Sequence, residues 1–245
     1  MSGCAQGTSA ARRRELLEAA ADDGLSVRPP LFVGILPADY EKIRATGRMR
    51  VFTRGELLHL KDDPVTQVSL VTSGYVKVTQ LGFTGSEVIL HLVAPGDVLG
   101  ASCLLSTGRH HTTAQAFRVC HALTWDARSF KALTESFPVL HQNMVRVLGH
   151  ELLDLAERFR EIATEKVALR VARQLIRLHS KIGRQVNGFV EVRLSREELA
   201  QMTGTTLFTV SRLLSTWEAS GIVKPTREAV TICDIKTLAS VSGEQ

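Results

Sequence analysis

The segment Thr206-Leu207-Phe208-Thr209-Val210-Ser211-Arg212-Leu213-Leu214 carries two kinds of side chain at helical spacing. Val210, Leu213, Leu214 and Trp217 fall on one face and suit a core, whereas Leu207, Phe208, Ser211 and Arg212 fall largely on the other. A helix presenting an arginine outward fits the DNA major groove, about 12 Å wide, where a bidentate guanidinium reads guanine O6 and N7. The hydroxyls of Thr206 and Thr209 suit donation to phosphates, which fixes register without reading sequence. The plainer alternative pairs Arg212 with a carboxylate of its own domain.

Other reactive residue types give weaker patterns. Among eight histidines, His110 and His111 are the adjacent pair to examine for a ligand, but no local spacing marks a haem or metal site. The four cysteines, at positions 4, 103, 120 and 233, have no paired spacing and exclude a disulfide scaffold. There is no nucleophile elbow, phosphate-cradling glycine loop or paired metal motif, so an enzyme is not expected.

The elements that must carry the outward helix are legible around it. Ser195-Arg196-Glu197-Glu198 is a capping box, Thr203-Gly204-Thr205 breaks the helix it opens, and a second helix runs from Thr206 to about Ser220. Ile222–Pro225 and Val230–Ile232 then pair as a hairpin around Thr226-Arg227-Glu228, completing a winged helix-turn-helix. Before it, Glu165–Lys181 reads as a helix and 188–194 as a short strand. Upstream, Val145, Leu148, Leu152, Leu155, Phe159 and Ile162 recur at spacings of 3, 4, 3, 4 and 3 after Pro138. That seam fits a parallel two-helix dimer; the alternative is a helix packed on its own domain.

From Phe52 to Trp125, short β-rich runs alternate with glycines and turn dipeptides, which fits an all-β barrel or sandwich. Ala10–Asp22 suits a short helix in an N-terminal tail. The chain of 245 residues has 44% hydrophobic and 22% charged residues, ordinary for a globular protein. No apolar run approaches a membrane span and no secretory signal opens the chain, so a cytoplasmic location is expected. The net charge is +5, and residues 165–245 hold 12 Lys/Arg against 8 Asp/Glu, which makes nucleic acid the first partner to test.

Over nearly all of its length after about residue 30, the sequence resembles the Crp/Fnr transcription regulators. The resemblance lies in Ser73-Gly74-Tyr75-Val76-Lys77-Val78, Gly85-Ser86-Glu87-Val88-Ile89-Leu90 and Pro95-Gly96-Asp97-Val98-Leu99-Gly100, in the long helix, and in Leu194–Ala200 with Thr209–Leu214. It implies an α+β chain: a tail (1–29), a cyclic-nucleotide-binding-like β-roll sensor (30–137), a dimerisation helix (138–164) and a C-terminal winged helix-turn-helix (165–245). It further implies a homodimer that binds a double-stranded DNA operator, works with RNA polymerase and needs no membrane. An effector pocket would then involve Gly100, Ala101, Ser102, His110, His111, Thr112 and Leu155.

Three departures from the family pattern bear on mechanism. Cyclic-AMP-binding members have Glu where Ala101 stands, an Arg-Ser pair near His110-His111-Thr112-Thr113, and a hydroxyl pair where Leu155 and Ala156 stand. A buried phosphate needs a cation or aligned donors, so cyclic AMP is disfavoured. Cys120 matches a cluster ligand of the oxygen-sensing branch, but only Cys4 precedes Cys103, too few thiolates for a cubane iron–sulfur cluster. Phe208 replaces a common Glu that would accept from cytosine N4, so the preferred half-site should differ. A haem-dependent gas sensor and a regulatory module acting on a protein partner are the alternatives; the effector itself is not identified.

Overall fold

The computed structural model describes residues 28–83 and 85–242. The expected helix over 10–22 and Cys4 lie outside the described residues. Two compact units are present: one takes in the described residues up to Gln80 together with Leu90–Glu151, the other Leu81–Ile89 together with the described residues from Leu152 onward.

The first unit contains α1 (Pro37–Ala45), strands β1 (Arg48–Phe52), β2 (Leu57–His59), β3 (Gln67–Ser73), β6 (Val98–Leu99), β7 (Thr113–Ala116) and β8 (Cys120–Asp126), and helices α2 (Ala101–Leu105) and α3 (Ala127–Ser136). With β4 (Val76–Leu81) and β5 (Glu87–Val93), the strands form two four-stranded sheets, ordered β1-β8-β3-β6 and β2-β7-β4-β5. The uninterrupted apolar character of Val68–Val71 has a direct cause, since β3 is buried on both faces. Val71 joins Phe52, Val76, Val78, Val93, Ala114, Ala116 and Ala122 in one core. Val68 and Leu70 point the other way, into a core with Phe32, Tyr40, Ile43, Trp125, Phe130 and Leu140. Trp125 is held there by its indole N–H, which donates to Ile43 O at 3.0 Å and Thr46 Oγ1 at 3.1 Å.

Helix α4 (Val139–Thr164) begins immediately after Pro138 and runs 26 residues. Near its start Leu140 is fully buried, and the Asn143 amide donates to Leu31 O at 3.0 Å and Val33 O at 2.6 Å. The seam residues behave differently: Val145, Leu148, Leu152, Leu155, Phe159 and Ile162 are between 41% and 73% exposed. The described part of the single chain leaves this stripe largely uncovered, which disfavours the alternative of a helix packed on its own domain by that face.

The second unit contains α5 (Val167–Ile182), β9 (Arg184–Val186), β10 (Phe189–Val192), α6 (Arg196–Thr203), α7 (Leu207–Ala219), β11 (Val223–Pro225), β12 (Val230–Ile232) and α8 (Ile235–Ser242). Val171, Leu175 and Leu178 bury the apolar stripe of α5. The wing hairpin is part of a four-stranded sheet, β11-β12-β10-β9, rather than a ribbon beside one strand. Sequence reading also missed α8, whose Leu238 is fully buried.

Two glycines test how tightly these turns are specified. Gly74 has φ +75°, and a Cβ there would lie 2.2 Å from Val119 O; Gly188 has φ +83° with open space around it. Gly188→Ala is expected to cost about 1–2 kcal/mol through the left-handed backbone alone. Gly74→Ala adds a backbone clash and should cost distinctly more in urea unfolding. Equal losses would show that the β3–β4 turn relaxes freely.

Candidate nucleic-acid interface

The outward helix is positioned by two local caps. At the start of α6, Ser195 Oγ accepts from Glu198 N at 3.1 Å while Glu198 Oε2 accepts from Ser195 N at 2.7 Å. Gly204, in the left-handed region, ends α6, and α7 starts two residues after Thr205. Thr206 is the second cap: its Oγ1 accepts from Thr209 N at 3.2 Å and lies 3.0 Å from Thr209 Oγ1. The Thr206 hydroxyl is therefore engaged in holding the helix end as well as being exposed, a role sequence reading did not give it.

On α7, Val210, Leu214 and Trp217 are buried, with Leu213 half-buried beside them. Phe208 is 84% exposed, Leu207 and Arg212 are exposed, and Thr209 and Ser211 are half-buried on the flanks. The Arg212 guanidinium makes no ion pair or hydrogen bond with any described residue, so the same-domain carboxylate partner is not found. Ser215, one turn on, is exposed on the same side and was not picked out from sequence.

Three further residues extend this face. An open cleft is lined by Ser195, Arg196, Glu197 and Leu207 with Pro225, Thr226 and Arg227 of the wing. The wing turn is closed by Thr226 N donating to Ala229 O at 2.7 Å, leaving Arg227 and Lys224 exposed. Arg196 Nε is buried without a hydrogen-bond partner among the described residues. The sequence signal for these residues was present: one arginine follows the capping serine, another sits in the wing turn.

In the first unit, a cavity of about 100 Å3 is lined by Leu58, His59, Asp63, Pro64, Thr66, Gln67, Ser69, Leu99 and His110. The His59 and His110 rings stack with centroids 3.5 Å apart and planes within 6°. Of the pocket residues expected from sequence, only His110 lines this cavity. Gly100 adjoins it, since a Cβ there would meet Gln67 O at 2.9 Å and His110 Cε1 at 3.4 Å. Ala101 is buried in the core around Trp125, because it opens α2 and turns its methyl inward. Ser102 and Thr112 are half-buried, His111 is exposed with Nε2 3.0 Å from Thr107 Oγ1, and Leu155 stands exposed on α4. His59, Asp63 and Gln67 were not found from sequence.

Among the described residues no group of three or more His, Cys, Asp or Glu could hold a metal. Cys120 is fully buried, and burial pushes its thiol up to about 12.

The geometry agrees with known proteins. Residues 49–137 match the family model for a cyclic nucleotide-binding domain, and residues 169–241 match that for a Crp-like helix-turn-helix domain. The chain belongs to the Crp/Fnr family of transcription regulators. It is 25% identical over 219 residues to a CRP-like cAMP-activated global transcriptional regulator of Mycobacterium tuberculosis, covering 89% of this chain and 98% of that protein. A transcriptional activator protein, anr, of Pseudomonas aeruginosa is 25% identical over 81% of this chain and 82% of its own. Among solved structures, a CooA mutant from Carboxydothermus hydrogenoformans matches with a TM-score of 0.67 and 25% identity over 89% of this chain and 97% of its own. A CRP-family regulator from Thermus thermophilus shares the fold, with a TM-score of 0.71 and 22% identity over 79% of this chain and 96% of its own. As a Crp/Fnr regulator the protein is a DNA-binding transcription factor and not an enzyme.

The histidine stack makes the first unit of this Crp/Fnr chain sensitive to acid. Burial first, and then the facing His110, lower His59 to about 4 from its ordinary 6.5. Burial lowers His110 too, with Asp63 opposing. An unfolded chain protonates His59 near 6.5 while the folded chain does not until about 4, so stability falls as pH drops through that window. Between pH 7 and pH 5 this group should remove about 2 kcal/mol. Urea titrations should show His59→Gln with a correspondingly flatter pH dependence; an unchanged slope would mean that His59 titrates normally.

Proposed function

We propose that two copies of the chain pair in parallel along α4 and bind a two-fold DNA site, each inserting α7 into a major groove. The observation that carries this reading is the pairing of two uncovered faces on a well-packed chain. One is the stripe from Val145 to Ile162, and the other is the Phe208/Arg212 face of α7. Burying half of the stripe's side-chain area on both copies would contribute on the order of 10 kcal/mol. That is comparable with the association cost of about 4–15 kcal/mol, so the seam can sustain a dimer. Within that dimer, residues 30–137 form the sensor, 138–164 the dimerisation helix and 165–245 the DNA-binding domain.

At the DNA, Arg212 reads guanine by its fork and Phe208 contacts an apolar base edge such as a thymine methyl. Leu207 and Ser211 flank them at the groove. Thr209, with Thr206, Arg196 and Arg227, contacts phosphates and sets register without reading bases. RNA polymerase is the further partner expected of such a regulator.

The effector is a small molecule held in the β-roll near Gly100, Ser102, His110, His111 and Thr112. The Mycobacterium tuberculosis relative is by its name cAMP-activated, but cyclic AMP does not suit this chain. Ala101 is a buried core residue, and the lining of the cavity beside His110 holds no Lys or Arg to meet a buried phosphate. Calorimetry is expected to show weak or no cyclic AMP binding; submicromolar affinity with matching enhancement of DNA binding would overturn that choice.

Replacing Leu152 and Phe159 by Asp puts charges into the seam and is expected to give monomers in sedimentation velocity. A full-strength dimer would put the interface elsewhere. On a duplex selected by the wild-type chain, Arg212→Ala should cost about 1–3 kcal/mol per half-site and relax preference at one base pair. Thr209→Ala should weaken all sequences alike in fluorescence anisotropy. Undiminished affinity of Arg212→Ala for the same consensus would rule out α7 as the reader.

A further inference from the structure

The most heavily tied charges of the second unit lie away from the reading face, at the elbow where α4 turns into α5. Glu161, in the last turns of α4, is 4% exposed. Its carboxylate accepts from Arg177 of α5 twice, Nη1 to Oε1 at 2.6 Å and Nη2 to Oε2 at 2.9 Å, and Arg173 Nη1 stands 3.9 Å from Oε1. Gln174 Oε1 holds the same guanidinium, accepting from Nε at 3.2 Å and from Nη2 at 3.1 Å. In the turn itself, Glu165 accepts from Arg173 and, at 3.0 Å, from Arg160.

The same ties continue to the helix-turn-helix. Arg170, 8% exposed, donates from Nη1 to Glu165 O at 2.9 Å and from Nε to Thr203 O, the last residue of α6, at 3.3 Å. Ile162 Cδ1 lies 4.0 Å from where a Cβ on Gly204 would stand, so α4 abuts the turn that launches α7. A continuous run of hydrogen bonds thus joins α4, the elbow, α5 and the end of α6. Buried ion pairs contribute little net stability compared with apolar packing, but they are directional, and a bidentate fork fixes an angle as well as a distance.

We propose that Glu161, through Arg177 and Arg173, is a positioning residue that sets the direction in which α5 and the helix-turn-helix leave the long helix. It thereby aims the reading helix. The inference rests on the dimeric DNA-binding reading above, because aim matters only when two reading helices must meet one duplex at once. Joint engagement of two half-sites is sensitive to that aim, whereas engagement of one half-site is not.

The test uses the full-length protein and three kinds of duplex: a wild-type-selected site, the same site with its halves moved by one or two base pairs, and a single half-site. Wild-type protein should favour the selected spacing strongly. Glu161→Gln keeps the side-chain shape, and it should lose most of the roughly 100-fold or greater advantage of joint engagement. It should keep its affinity for the single half-site and its dimeric sedimentation. Arg177→Lys keeps the charge but gives up the fork and should show a smaller loss of the same kind. It also decides the matter if Glu161→Gln does not retain a folded second unit by circular dichroism and Trp217 fluorescence. A merely destabilised domain would lower affinity for all three duplexes in parallel, and that result overturns the proposal. So does unchanged spacing preference in the folded variants. A wild-type chain indifferent to two half-sites would instead contradict the dimeric reading.

Discussion

Six large apolar side chains standing in water along one face of a 26-residue helix are the constraint on which the molecule turns. Helix α4 is otherwise fully committed. Leu140 and the Asn143 amide fix its first turns against Leu31 and Val33, and Glu161 fixes its last turns against α5. The stripe between them cannot rotate inward without breaking both ends. No described residue can supply the missing cover, and the proposed parallel pairing of two such helices is the arrangement that the 3-4 spacing suits. In the proposed dimer, a two-fold axis along α4 makes every downstream element appear twice, including α7.

Much of this was legible locally, and what was not depends on distance along the chain. The capping box of Ser195 and Glu198, the break at Gly204 and the buried face of α7 are set within a few residues of one another, so spacing reveals them. The Val68–Val71 run was visible as a strand, but its burial on both faces follows from two sheets and an outer helical layer meeting there. Trp125 was seen as a strand residue; its indole bonds reach Ile43 and Thr46, about eighty positions earlier. His59 and His110 lie 51 positions apart and become neighbours only when the β2–β3 segment folds over the segment before β7. Helix α8 went unread because eight residues span barely two turns and carry little periodicity.

The chemistry of the reading face follows from what is missing as much as from what is present. On the proposed reading, Phe208, which cannot accept a hydrogen bond, would favour apolar base edges, while Arg212, without a side-chain partner among the described residues, would supply the guanine fork. Arg196 and Arg227 frame the approach with charge, and the caps at Ser195 and Thr206 hold both helix starts so that the side chains project from fixed positions. The first unit differs in kind. His59 and His110 stack on each other at the wall of a small polar cavity, and Ala101 lies in the core instead of presenting a polar group.

The pairing of two copies on one duplex is the claim that joins these parts, and hydroxyl-radical footprinting of the wild-type protein on a selected duplex tests it most directly. Two protected backbone segments on each strand are expected, related by a dyad, with half-site centres roughly 34 Å apart along one face of the helix. A single protected segment, or two without dyad symmetry, would contradict it.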